Sequence, residues 1–442
     1  MTSNAGLAPA IARNPHTTPR FRGWQALTLG LLIIGYGGYY VCRSDLSVTL
    51  PMIIGELGKG GVDPATARIR LGTIASLGVL AYAIGKFPSG TIADFLGGKR
   101  NFLLGMAGAV LFTLWFAAGR SLPVFALAWI GNRLVQSLGW AGMVKITSKW
   151  FSYRRYGTAM ALVSLSFLFG DALARRFLAA LMGAHLGWRE IFVVAAAVLA
   201  SIFVVCLLLI RESPKKIGIP EPPANPANLF GQEGERPAPA SLGSLLRPFL
   251  RSPIFWVVCA LSLGTTLMRE AFGLWTPTYF TQAAGFSPAE AAEKSALFPL
   301  LGGVSVLLCG WLSDRMGTRS RAALIFAALA MSGIVLLWLG LGSPSQMAAV
   351  ALVSLVAFLI IGPYSFLAGA MSLDFGGKQG AATASGVIDG VGYFGGVLAG
   401  DTMARVSIAF GWAGFFIALA AVAFLTSAAG VVLWLREAEA GQ

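Results

Sequence analysis

Two arginines have the type and placement to bind an anion. Arg43 and Arg269 each lie within an apolar stretch, and each is followed eight residues later by a proline, Pro51 and Pro277. An arginine deep in a bilayer helix costs at least about 2.5 kcal/mol, so it persists only where it faces a cavity or a partner. Its planar fork matches a carboxylate or phosphate through paired, charge-assisted hydrogen bonds. Lys86 supplies a third cation, eight residues before Asp94, or about 12 Å along a helix. A phosphate monoester is close to a dianion at neutral pH, so two opposed forks suit it better than one. Emptied, such a site holds two or three uncompensated positive charges. The competing reading is that Arg43 pairs with an acid and only fixes packing. Asp45 is nearest in sequence but sits on another helix face.

Other residues could share that site. Asp389 is an unpaired acid among glycines. It could neutralise a cavity arginine, bind a substrate hydroxyl or take up a proton. Glu270 adjoins Arg269 but is expected to point elsewhere. Arg133 fits a structural role as well as a functional one, and Lys145 fits the cavity or the inner end of its helix. Tyr36, Tyr40, Tyr82, Trp140, Tyr364 and Tyr393 fall on segments that should line a cavity. Singly each reads as packing; together they suit a hydroxylated organic group. His16 and His185 cannot assemble a zinc or nucleophile site. The four cysteines (Cys42, Cys206, Cys259, Cys309) lie in apolar segments, without metal-ligand spacing or a disulfide framework. No enzyme signature, metal site or cofactor is expected.

The elements that must position these residues follow from composition. The chain is 56% apolar and 12% charged, against about 25% charged for a soluble domain. Lipid therefore has to cover much of the surface. A net charge of +14 in a soluble protein would suggest nucleic acid. Here the basic residues punctuate apolar runs and form no solvated face, which excludes that class. Runs long enough to span a bilayer cover 24–50, 70–94, 101–120, 122–150, 156–182 and 188–211. A second set covers 253–284, 290–314, 320–342, 345–373, 379–406 and 410–436. The first run lacks a small-residue cleavage site and reads as a retained helix. The expected architecture is an all-α membrane protein of twelve helices in two six-helix bundles. A tail over 1–22 precedes the first bundle, 23–211. A Pro-, Ala-, Asn- and Gly-rich linker, 212–252, precedes the second, 253–436, and a tail covers 437–442. The lysine and arginine distribution places both termini and the linker in the cytoplasm, in an inner-membrane, multi-pass topology.

The two sets repeat. Gly90, Asp94, Gly97, Gly98, Lys99 and Arg100 follow the second run, and Gly310, Asp314, Arg315, Gly317, Thr318 and Arg319 follow the eighth. This loop resembles the signature of the major facilitator superfamily. Further residues narrow the resemblance to its organophosphate:phosphate antiporter family, which includes glycerol-3-phosphate and hexose-phosphate transporters and sugar-phosphate exchangers. They are Gly35 to Arg43 in helix 1, Tyr82 to Lys86 in helix 2 and Gln136 to Trp140 in helix 4. Ser213 to Pro220, Arg269 with Trp275, Gly362-Pro363, and Ser385 to Gly396 extend it over nearly the whole chain.

The resemblance implies exchange of an organic phosphate for inorganic phosphate by alternating access. Arg43 and Arg269 would be the phosphate ligands, with Lys86, Tyr82, Tyr36, Tyr40 and Tyr393 beside them. Trp140 and Asp389 complete the expected binding set. Asp94, Arg100, Asp314, Arg315 and Arg133 form the expected structural and gating set. The partners are a small anion and membrane lipid, with no nucleic acid, for a monomer. The chain departs from the glycerol-phosphate pattern over Leu162 to Phe167, which lacks a histidine, and at Leu274 and Ile361. Two alternatives stay open: a proton-coupled symporter of a carboxylate such as a sugar acid, and a non-transporting sensor of sugar phosphate.

Overall fold

The computed structural model describes residues 18–286, 294–295, 297–316 and 320–439, and among them it is helical with no strand. The loop repeat at Gly317, Thr318 and Arg319 lies outside the described residues, as do both chain ends. The helices are α1 Pro19–Lys59, α2 Pro64–Leu96, α3 Gly98–Ala118, α4 Leu122–Gln136, α5 Leu138–Trp150, α6 Tyr156–Gly183 and α7 Trp188–Leu209. After a connecting segment come α8 Leu242–Arg251, α9 Pro253–Gln282, α10 Leu297–Met316, α11 Ser320–Leu341, α12 Gln346–Phe366 and α13 Ser372–Glu439.

Helix starts carry the signals expected of them. Thr18, Asp63, Ser252 and Ser345 cap α1, α2, α9 and α12, each accepting a backbone N–H of the first turn. Proline opens α1, α2 and α9, where its missing N–H costs nothing. Among the described residues, nine stretches are long and apolar enough to cross a membrane. α2 is not among them. The α4–α5 segment is also absent, since it is broken at Ser137. Residues 346–399 form a single 54-residue stretch. Large apolar side chains face outward on α3, α11 and α13, with Leu111 67% and Leu425 73% exposed. Such faces are stable against hydrocarbon and not against water.

Three breaks shape the interior. α1 bends at Cys42 (φ −92°, ψ 15°), whose carbonyl accepts from Gln136 Nε2 at 2.9 Å. A wide turn of π type, Leu367–Met371, separates α12 from α13; such turns concentrate at functional sites. α13 folds back at Gly377 (φ 54°) and Gly411 (φ 68°), a backbone region that glycine alone enters freely.

The connector between α7 and α9 is folded, although its composition showed no sustained apolar period. The Leu229 N–H donates to the Phe375 carbonyl at 2.9 Å, and Asn225 Nδ2 donates to Asp374 at 2.9 Å. Lys378 pairs with Glu235 at 2.7 Å and Glu221 at 3.3 Å. These contacts bracket Gly377. Polar and ionic contacts hold the segment, so apolar periodicity could not reveal it. At the far end of α1, Arg189 donates to Glu56 at 2.6 Å, which holds that carboxyl below its ordinary value.

Candidate functional site

A cavity of about 440 Å³ sits between the helices before the connector and those after it. α1 contributes Tyr36 and Tyr40, α2 contributes Tyr82 and Lys86, and α5 contributes Trp140. From the other side come Arg269 on α9, Tyr364 on α12, Gly369 in the π turn, and Asp389 and Tyr393 on α13. A wider vestibule of about 1460 Å³ shares Tyr40, Phe167 and Arg269 with it. The vestibule reaches Ser295 and Phe298, so it opens toward the α9–α10 turn.

Arg43 is held by neutral groups. Its Nε donates to Gln136 Oε1 at 3.0 Å and its Nη1 to the Tyr40 hydroxyl at 3.1 Å. The guanidinium carbon lies 4.7 Å from the Tyr40 ring and 4.5 Å from the Tyr82 ring. Aromatic faces of this kind attract a cation without neutralising it. Arg133, on α4, covers Tyr82 at 4.8 Å and reaches the same Gln136 oxygen at 3.4 Å. One amide therefore orients two arginines, while its own Nε2 anchors the α1 bend.

Arg269 has different company. It pairs with Glu270 and lies 4.6 Å over Tyr364. Lys86 pairs with Asp389 at 2.5 Å, with both side chains almost fully buried. Tyr82 meets Tyr393 edge-on at 5.4 Å, and the Tyr36 and Tyr82 hydroxyls are 3.3 Å apart. Two of the three cations expected to stand uncompensated, Lys86 and Arg269, are therefore paired. Lys86 and Arg269 have carboxylate partners, so Asp389 is not unpaired and Glu270 does not point away. Around the tyrosines stand four cations, Arg43, Lys86, Arg133 and Arg269; Asp389 and Glu270 pair with two of them, and the buried Asp45 acts on Arg133. Of the four, Arg43 has no carboxylate partner among the described residues. Arg43 Nη2 and Arg269 Nε are buried without a hydrogen-bond partner. Unmet buried donors are rare and mark strain or a ligand position.

The α2–α3 end of the cavity is closed. Gly90 of α2 crosses α13 so tightly that a Cβ there would lie 2.3 Å from the Ala382 carbonyl oxygen. Asp94 accepts the backbone N–H groups of Thr383 at 2.7 Å and Ala382 at 3.4 Å. Lys145 pairs with Asp94 at 2.8 Å and donates to the carbonyls of Lys378 and Gln379. The ion pair thus serves donors and acceptors at the same two i→i+4 positions of α13, just past Gly377. Asp314 of α10 does the matching task on α6, accepting from Gly157 N at 2.9 Å and Thr158 N at 2.8 Å. Carboxylates are favoured at helix N-termini. Trp140 adds a third tie, donating to Ser385 Oγ at 3.1 Å and Ala368 O at 3.3 Å.

Comparison with known proteins bears directly on this arrangement. The family model described as Major Facilitator Superfamily matches residues 28–400. The chain belongs to that superfamily. It is 26% identical over 399 residues to a glycerol-3-phosphate transporter of Bacillus subtilis, covering 88% of this chain and 87% of the relative. It is also 26% identical over 386 residues to the glucose-6-phosphate exchanger SLC37A2 of Mus musculus, covering 78% and 75%. The solved proton:xylose symporter XylE superposes with a TM-score of 0.71 at 12% identity, covering 92% of this chain and 95% of the other, a likeness of fold. This superfamily member is therefore a multi-pass membrane protein with an all-α, major facilitator fold.

Within the superfamily fold, the expected residues divide. Tyr36, Tyr40, Tyr82, Lys86, Trp140, Arg269, Asp389 and Tyr393 line the cavity. Arg43 abuts it through Tyr40 and Tyr82. Arg133, expected among structural residues, joins the same cluster. Asp94 and Asp314 lie at the closed end. Arg100 is exposed, and Arg315 stacks on Trp311 at 4.2 Å, away from the helix crossings. Gln136 stands in the helix-4 motif with no role of its own expected, yet it orients both Arg43 and Arg133. An amide three residues beyond an intramembrane arginine was the available signal.

Proposed function

We propose that this protein exchanges a small organic phosphate, such as a sugar phosphate, for inorganic phosphate across the inner membrane by alternating access. The observation that carries the reading is the pair of buried, unmet guanidinium N–H groups on Arg43 and Arg269, the first of them on a cation held only by neutral groups. A tetrahedral dianion supplies both the acceptors and the charge. The names of the two relatives above support the same substrate class. In this reading Lys86, Tyr36, Tyr40, Tyr82, Trp140, Tyr393 and Asp389 complete the binding set, and the protein works as a monomer.

Alternating access fits the geometry. The site is shut at the α2–α3 end and leads to the vestibule at the other. Phosphate bridging Arg43 and Arg269 would draw the two sides together and release the seams held by Asp94 and Asp314. Occluding the empty site would bury the Arg43 charge without a counter-ion, at a cost of several kcal/mol. The empty carrier then reorients slowly, and inorganic phosphate serves as the return ligand. The topology has both termini and the connector in the cytoplasm, with twelve spans. The nine apolar stretches give twelve once α2 and α4–α5 are added and 346–399 is counted as two.

Purified protein in liposomes loaded with inorganic phosphate should take up labelled glucose 6-phosphate. Equal uptake into unloaded liposomes would reject exchange. Binding without any uptake would instead favour a sensor.

A further inference from the structure

Glu270 is a carboxylate that the exchange cycle leaves without a task. It follows Arg269 directly on α9 and pairs with that guanidinium. It lines the vestibule and not the inner cavity, and its side chain is 40% exposed, against 19% for Arg269. Arg269 lines both spaces. The carboxylate therefore sits at the mouth of the site, on the arginine that an incoming anion meets first. It has solvent-accessible room to leave. The buried Asp389 lacks such room.

We propose that Glu270 is a tethered counter-anion that competes with the substrate for Arg269 and so sets the minimum charge a ligand must carry. The proposal rests on Arg269 being a phosphate ligand, as read above. A monoanion that replaces Glu270 on Arg269 exchanges one negative charge for another and gains little Coulomb energy there. A dianion gains the second charge, and it can also engage Arg43, whose partners are neutral. The same displacement frees the Glu270 carboxylate into the vestibule, so release of the ligand is helped by its return. The threshold of charge for binding is thus set by an internal rival and not by the shape of the cavity.

Methyl phosphate and methyl sulfate test this directly, because they are nearly isosteric and differ by one charge at pH 7.5. Their affinities for the purified full chain can be read from thermal shift. Wild type should prefer methyl phosphate by about 100-fold. In Glu270→Gln methyl sulfate should bind about 10-fold more tightly, because no carboxylate then has to be displaced from Arg269. Glu270→Asp, which keeps the charge but shortens its reach, should fall between the two. Unchanged or weaker methyl sulfate binding in Glu270→Gln, with methyl phosphate binding retained, overturns the proposal alone. No methyl phosphate binding by wild type overturns the phosphate reading and this proposal together.

Discussion

Arg43 and Arg269 occupy matching places in the two halves of the sequence, yet their surroundings differ in kind. The Arg43 side is built from neutral groups: an amide, a tyrosine hydroxyl and two aromatic faces. The Arg269 side holds a carboxylate and a single ring. Internal repetition thus preserves position and residue type while letting the electrostatics diverge. One side presents a standing full charge, and the other presents a charge already offset. A substrate should therefore draw most of its binding energy from Arg43 and most of its selectivity from Arg269.

The harshest way to break that comparison is Arg43→Lys. Lysine lacks the fork, so two charge-assisted bonds are lost, about 4 kcal/mol. Exchange in phosphate-loaded liposomes should fall by about 1000-fold. The thermal midpoint without ligand should barely move. Arg269→Lys should be milder, about 30-fold, because Glu270 already discounts that charge. Equal losses for both would erase the asymmetry.

Lys86 and Asp389 bridge the two sides. Asp389→Asn leaves a buried ammonium without its counter-charge and should lower exchange about tenfold, with a clear drop in thermal midpoint. Adding Lys86→Met to it should restore the midpoint but not exchange. Recovery of both would remove the pair from the binding set. The finest test is Gln136→Glu, which places a carboxylate beside Arg43 and makes that side resemble the other. Phosphate affinity should weaken about fivefold, measured by thermal shift.

Much of this was legible in the sequence, because intramembrane charges are costly and so point to themselves. Arg43, Arg269 and Lys86, the tyrosines near them, and the Asp94 and Asp314 loops could all be named from type and spacing. Pairing was the illegible part. Asp389 looked unpaired because its partner Lys86 lies about three hundred residues away. Lys145 was undecided for the same reason, since Asp94 sits on another helix. Glu270 was misjudged on the rule that adjacent helix residues face apart. That rule governs where a side chain leaves the backbone; a glutamate is long enough to fold back.

The folded connector has a practical corollary. Asn225 and Leu229 hold Asp374 and Phe375, and Glu221 and Glu235 hold Lys378, so the strap clasps α13 on both flanks of Gly377. Any swing of α13 about that glycine must peel the strap away or carry it along. A fluorophore or protease site placed near Asn228 would therefore act as a strain gauge for the transport cycle. By the same token, it is a poor place for an affinity tag meant to leave turnover untouched.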